Sequence, residues 1–210
     1  LRSSWNCSIG GNRLEMTELA GLVARRLCHD FAGPIGAIST ALDLLEDENN
    51  PEIRGLIRDS ARGLAASLRL YRVILSPSEA PLANHEARHL LADWVSARNS
   101  VALDWQVSGE HLAPARAATL LGLSLIACEA LARGGTLTVG NDYVEADGPN
   151  LRLDRDVHDA IGGGTGALTP RAALARVVVA NAGVDGQRVA LSAVTQTLRL
   201  RVHNSGDAAT

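Results

Sequence analysis

The stretch MTELAGLVARRLCHDFAGPIGAISTALDLLEDENNPEIRGLIRDSARGLAASLRLYRVIL, residues 16–75, decides how this chain is built. Leu19, Leu22, Val23, Leu27, Phe31, Ile35, Ile38, Leu42 and Leu45 recur at the steps of three and four that mark an amphipathic helix, which predicts one long helix over residues 16–48. Thr17 is placed to cap its start. The run Asp47-Glu48-Asn49-Asn50-Pro51-Glu52 then breaks the pattern with turn formers, and Pro51, with its fixed φ and no N–H, suits the first position of a second helix. Ile53, Ile57, Ser60, Leu64, Leu68, Tyr71 and Leu75 carry that helix in a heptad-like rhythm up to Ser76-Pro77. So short a turn makes the two helices an antiparallel hairpin. Each is too apolar to be solvated singly, so the sequence predicts a homodimer in which two hairpins form a four-helix bundle.

Working outward, Ser76-Pro77-Ser78-Glu79-Ala80-Pro81 reads as a linker, and it divides the chain into a hairpin domain, residues 16–76, and a second domain, residues 82–205. In the second domain the period alternates. Residues 84–99 read as a helix with Leu90, Leu91, Trp94 and Val95 as its stripe, residues 101–107 alternate as a strand, and residues 114–133 form a strongly apolar helix stopped by Gly134-Gly135. Strand-like runs follow near residues 136–140 and 151–153, then a helix over 171–182 and a strand pair at 189–194 and 197–202. Helices on one face of a mixed sheet make a two-layer α/β sandwich, so the fold class is α+β. Trp94 and Trp105 are expected as core anchors of this layer, and Asp154-Arg155-Asp156 as a solvated charge cluster. The opening LRSSWNCSIGGNRLE reads as a polar leader outside the fold.

Composition narrows the function classes. A net charge of -3 over 210 residues gives no reason to expect a nucleic-acid partner. The sequence contains no lysine, which removes a Walker-type or Schiff-base lysine. Cys7, Cys28 and Cys128 lie far apart with no CxxC pair, which argues against a disulfide framework or a zinc site and for a reducing, cytoplasmic setting. His85, His89, His111, His158 and His203 show no metal-ligand spacing, so no metal is expected. No apolar run reaches the roughly 20 residues of a transmembrane helix, so no membrane partner is expected.

The hexapeptide His29-Asp30-Phe31-Ala32-Gly33-Pro34 makes the most specific chemical claim. At about 100° per residue, His29 falls about 160° from the mean direction of Phe31, Ile35, Ile38, Leu42 and Leu45, and so faces solvent. Arg25, Arg26, Ala32, Gly33 and Gly36 share that face within one or two turns. Glycine costs a helix interior about 1 kcal/mol and proline about 3 kcal/mol, so Gly33, Pro34 and Gly36 together call for an explanation beyond the helix itself. An exposed imidazole can attack a phosphoryl group through one nitrogen while a carboxylate orients the other. Small neighbours would let a partner's backbone approach closely, and an arginine would offset the negative charge of transfer.

The stretch Leu27-Cys28-His29-Asp30-Phe31-Ala32-Gly33-Pro34 resembles the H-box of histidine kinases: His, then Glu or Asp, two variable residues, Thr or Asn, then Pro. The longer string from Arg26 to Ile38, continued by Ala41-Leu42-Asp43-Leu44-Leu45-Glu46, is similar to histidine phosphotransferases of the ChpT family, as is Glu129-Ala130-Leu131-Ala132-Arg133-Gly134-Gly135-Thr136. That resemblance implies a kinase-like dimerising hairpin and a degenerate domain of the histidine-kinase ATPase type. It implies a carrier that moves phosphoryl groups from the receiver domain of a hybrid histidine kinase to that of a response regulator. His29 would be the phosphorylated residue and Asp30 its acidic partner, with Arg25, Arg26, Ala32, Gly33 and Gly36 meeting the receiver. Gly33 stands where kinases place the Thr or Asn associated with phosphatase chemistry, which argues against a dedicated phosphatase.

The alternatives are an ATP-dependent sensor histidine kinase and a non-catalytic dimeric scaffold that binds receivers. The helix that in a kinase holds metal and phosphates through asparagines here reads Leu120-Leu121-Gly122-Leu123-Ser124-Leu125-Ile126-Ala127-Cys128-Glu129-Ala130, without one, leaving Glu129 as a lone substitute ligand. Asp147-Gly148-Pro149 matches the adenine-reading Asp-x-Gly box poorly. Gly162-Gly163-Gly164-Thr165-Gly166 is expected to be a flexible loop or a shortened ATP-lid remnant, because Ala167-Leu168-Thr169 separates it from the helix that Pro170 opens. No nucleotide cofactor is therefore expected, and the Mg²⁺ for transfer would sit on the partner receiver.

Overall fold

The computed structural model describes residues 6–45, 50–97, 100–164, 168–194 and 196–204. Helix α1 runs Asn6–Leu45 and helix α2 Pro51–Leu75, antiparallel and packed against each other. The stripe that meets α2 and the rest of the molecule includes Leu27, Phe31, Ile38 and the fully buried Ala41. Asn50 caps α2 by accepting the Glu52 N–H at 2.8 Å, and Pro51 occupies the first turn. Helix α1 starts ten residues before the expected position, so the segment read as a polar leader is helical from Asn6, and Thr17 lies inside the helix rather than at its cap. Once a helix is nucleated each added residue gains a backbone hydrogen bond, so it can outrun its apolar stripe. The expected helix end at residues 46–48 lies outside the described residues.

After the connector come β1 (Leu82–Ala83), α3 (Asn84–Ser96), β2 (Val101–Trp105), β3 (His111–Leu112), α4 (Pro114–Ala130), β4 (Gly135–Val139), β5 (Tyr143–Asp147), α5 (Arg155–Ile161), α6 (Pro170–Val184), β6 (Gln187–Val194) and β7 (Thr197–Asn204). Five strands form one mixed sheet in the order β2-β4-β5-β7-β6, with β2 and β4 parallel and the other pairs antiparallel. Strands β1 and β3 pair separately. The two-layer α+β architecture is the expected one.

One sequence expectation is corrected next to the sheet. Residues 151–153 form no strand. They run as a connector in which the Arg152 N–H bonds the Ala130 carbonyl, while Leu151 and Leu153 pack against the core. The strand is β5 instead, whose Val144 and Ala146 alternate inward in register with Leu200 and Leu198 of β7. Across the opposite face, Glu145 pairs with Arg199 at 2.5 Å, and the Arg199 guanidinium lies 5.1 Å from the Tyr143 ring centre. That polar outer face leaves the helices on the other.

Helix α4 is apolar all round and lies at the centre, with Leu120, Leu121, Leu123 and Leu125 fully buried. It approaches α6 closely because Gly122 has no side chain: a Cβ there would lie 2.4 Å from Val178 Cγ2. The chain turns out of α4 at Gly134, φ +86°, where a Cβ would meet the Ser100 carbonyl oxygen at 2.4 Å. Trp94 is buried, as expected; Trp105 is only half-buried because its Nε1–H donates to Asn84 Oδ1 at 2.8 Å near the surface. The core does not stop at the linker: Ala66, Leu70, Tyr71 and Ile74 of α2 belong to the same apolar cluster as α3, α4 and the sheet.

Candidate functional site

His29 lies in α1 with its side chain 81% exposed, the orientation read from the helical wheel. Arg25, Ala32, Gly33 and Gly36 are exposed with it, and a Cβ built on Gly33 or Gly36 would meet nothing within 4 Å. Pro34, inside the same helix, supplies no N–H to the Asp30 carbonyl. A groove of about 1230 Å³ opens one turn further on, between Gly33, Pro34 and Ala37 of α1, Ser60 and Gly63 of α2 and Ala97 at the end of α3.

Asp30 does not share the exposure of His29; its side chain is 22% exposed on the flank of the helix. Oδ1 lies 3.2 Å from His29 Nδ1. Oδ2 accepts from Arg26 Nε at 2.8 Å and from the Tyr71 hydroxyl of α2. A carboxylate can only accept, so the proton of a neutral His29 sits on Nδ1 and the Nε2 lone pair points to solvent. Burial by itself would raise the Asp30 pKa. The Tyr71 hydrogen bond, the Arg26 charge and the hydrogen bonds from His29 and Arg26 outweigh it and hold the carboxyl below its ordinary 3.8. Burial and the bond to Asp30 push the Tyr71 phenol up to about 12.

Arg26 departs from the expected surface role. It is 7% exposed, turned away from the His29 face, and its Nη2 reaches the carboxylate of Glu129 on α4. The wheel places Arg26 at the edge of the exposed face, where Asp30 of its own helix, the Glu129 carboxylate of α4 and the Tyr71 phenol of α2 converge, so the guanidinium swings inward to pair. Glu129, read as a lone substitute metal ligand, is thereby the counter-ion of Arg26. Tyr71, read only as a seam residue of α2, is the group that the periodicity did not single out. A phenol among leucines and isoleucines needs a partner for its hydroxyl, and Tyr71 and Arg26 lie at nearly equal distances from the hairpin turn, which is the signal that could have joined them.

The remaining motifs fall elsewhere. Asp147 ends β5 and accepts from Thr197 Oγ1 at 2.9 Å. Gly162 closes α5 and Gly163, φ +77°, turns the chain away; residues 165–167 of the glycine run lie outside the described residues. Asp154 precedes α5 and is exposed, paired with Arg171 at 2.6 Å. Beside Glu129, between α4 and α5, the cavity lined by Ile126, Arg152, Leu153 and Arg171 measures about 30 Å³. Among the described residues no helix is long and apolar enough to cross a membrane.

Residues 84–197 match the family model described as the histidine phosphotransferase C-terminal domain. The protein phosphotransferase ChpT of Brucella abortus (strain 2308) is 28% identical over 138 residues, which cover 64% of this chain and 66% of that protein's length, just under two thirds. A solved bacterial phosphotransferase shares the fold with a TM-score of 0.78 at 23% identity, over 89% of this chain and 96% of that one. Since the family model spans α3 to β6, more than half of the chain, the chain belongs to the histidine phosphotransferase family.

Proposed function

We propose that this chain is a phosphorelay carrier in two-component signalling, in which His29 accepts a phosphoryl group from the receiver aspartate of a hybrid histidine kinase and passes it to that of a response regulator. One observation carries the reading: an imidazole 81% exposed, with Nδ1 held by Asp30 and open space at Gly33 and Gly36 beside it. In the step, the Nε2 lone pair forms the N–P bond as the P–O bond to the receiver aspartate breaks, and the electron pair leaves with the carboxylate. The Nδ1 proton stays, so the ring becomes a cation, and Asp30 balances it. Phosphoryl transfer asks for little else from the protein than an in-line nucleophile and compensated charge. The Mg²⁺ belongs to the receiver, and Arg25, exposed one turn before His29, is the arginine available to the transferring group.

ATP is not the proposed phosphoryl source. Glu129 is engaged by Arg26, helix α4 offers no asparagine, and the space beside Glu129, about 30 Å³, is far below what a nucleotide fills. The chain is proposed to act as a cytoplasmic homodimer. Ile35 and Leu42 of α1 and Leu56 of α2, each more than half exposed, are apolar surface that a four-helix bundle would cover.

The test is transfer itself. With a phosphorylated receiver and Mg²⁺, acid-labile phosphate should map to His29 and move on to a second receiver, while His29→Ala carries none. Labelled ATP with Mg²⁺ should leave the chain unlabelled. Relay flux that survives in His29→Ala would instead favour a non-catalytic scaffold, and label from ATP on His29 would make the chain a kinase.

A further inference from the structure

Arg26 is the least exposed of the charged groups around His29, and its partners come from three separate elements. Nε bonds Asp30 on its own helix, the same Nε lies 3.5 Å from the Tyr71 hydroxyl of α2, and Nη2 bonds Glu129 of α4. Tyr71 in turn donates to Asp30 Oδ2. A bond from Arg26 to Asp30 alone would satisfy an i,i+4 ion pair. Here one oxygen of Asp30 is fully committed to Arg26 and Tyr71, which leaves Oδ1 as the oxygen that faces His29 Nδ1. A free aspartate rotates about χ2 and presents either oxygen; this one is clamped.

We propose that Arg26, Tyr71 and Glu129 are positioning residues that set the tautomer and orientation of His29 through Asp30, so that the second domain, by way of Glu129, governs how ready His29 is to take a phosphoryl group. The inference rests on His29 being the phosphoryl acceptor and adds what prepares it. One guanidinium between two carboxylates leaves the cluster with a net charge of one negative unit. That surplus favours hydrogen on Nδ1 before transfer and the cationic ring after it. Neutralising Glu129 weakens its hold on the Arg26 guanidinium, which is then drawn more strongly to Asp30, where it can reach Oδ1 and compete with His29. Truncating the Tyr71 hydroxyl releases Asp30 Oδ2. Both changes loosen the same hydrogen bond to His29 from opposite sides.

The experiment uses the full chain, ¹⁵N-labelled, with the His29 tautomer read from long-range proton–nitrogen correlations, and the rate of His29 phosphorylation by phosphoramidate, a small donor that needs no receiver. Tyr71→Phe and Glu129→Gln keep side-chain volume. Asn181→Ala is the control: it removes another link between the second domain and the hairpin, Asn181 Nδ2 to the Ile74 carbonyl at 2.8 Å, without touching Asp30. In the wild type the Nδ1–H tautomer should dominate. Tyr71→Phe and Glu129→Gln should both shift the ring toward a tautomer mixture and slow phosphoramidate labelling on the order of threefold to tenfold, the scale of one hydrogen bond to a charged group. Asn181→Ala should move neither readout even where it lowers the melting temperature. If Tyr71→Phe and Glu129→Gln lower stability yet leave tautomer and rate as in wild type, the cluster is structural and the proposal is wrong. If the tautomer shifts as described but phosphoramidate labels no variant and not the wild type, positioning stands and the acceptor role of His29 is what fails.

Discussion

The hydroxyl of Tyr71 on α2 donates to Asp30 Oδ2 on α1, so the acidic neighbour of His29 is held by the opposite arm of the hairpin. Removing only that oxygen, by Tyr71→Phe, leaves a partly buried carboxylate short of a donor. The change should cost about 1–3 kcal/mol, read as a lower urea midpoint with an unchanged denaturant slope.

The same contact gives a pH signature at the alkaline end. The folded phenol is raised from 10 to about 12, so its contribution to stability is fully present below pH 10 and is lost as pH rises through about 12. Melting temperatures measured from pH 9 to 12 should fall over that window, by the equivalent of about 2–3 kcal/mol, and Tyr71→Phe should flatten that part of the curve. Asp30 behaves in the opposite sense. Its folded pKa lies below 3.8, so its contribution is present above that value and disappears as pH falls through the lower one, and Asp30→Asn should lose this acid limb.

Gly36 separates stability from transfer. It lies exposed in mid-helix with open space where a Cβ would stand, so Gly36→Ala should stabilise the fold by about 0.5–1 kcal/mol. Gly36→Leu should fold as well as wild type yet slow transfer from a phosphorylated receiver, because its bulk occupies the approach to His29. Equal transfer rates for Gly36→Leu and wild type would remove this face from the docking surface.

Gly122 makes the converse case in the core. A methyl there must displace Val178 Cγ2, 2.4 Å away, so Gly122→Ala should cost about 1–3 kcal/mol by urea unfolding. In a Val178→Ala background the same substitution should cost much less, since the clash is gone, and a double-mutant cycle measures the difference.

Leu42, 51% exposed on α1, tests the dimer. Leu42→Glu should leave the circular dichroism spectrum intact and halve the mass found by light scattering. A wild-type chain that is already monomeric at working concentration would refute the four-helix bundle.

Much of this molecule is legible locally. The period of the apolar residues places two long helices, Asn50-Pro51 opens the second, and the rotation per residue turns His29 outward, because each of these depends on neighbours a few positions away. Strand β5 was legible too, in the alternation of Tyr143-Val144-Glu145-Ala146-Asp147, but the leucines at 151 and 153 offered a louder apolar signal that belongs to a connector. Apolarity alone does not distinguish a strand from a segment lying on the core.

By itself the sequence determines the hairpin, the two-layer class of the second domain and the outward face of His29 with its small neighbours. Tertiary structure alone decides that Arg26 points inward to Glu129, that Tyr71 clamps Asp30, and that Gly122 is where α4 and α6 meet. The division has a physical cause. A helix face follows from spacing along the chain, whereas a side chain as long and as charged as arginine goes where its partners are, and here these include a phenol 45 positions away and a carboxylate 103 positions away.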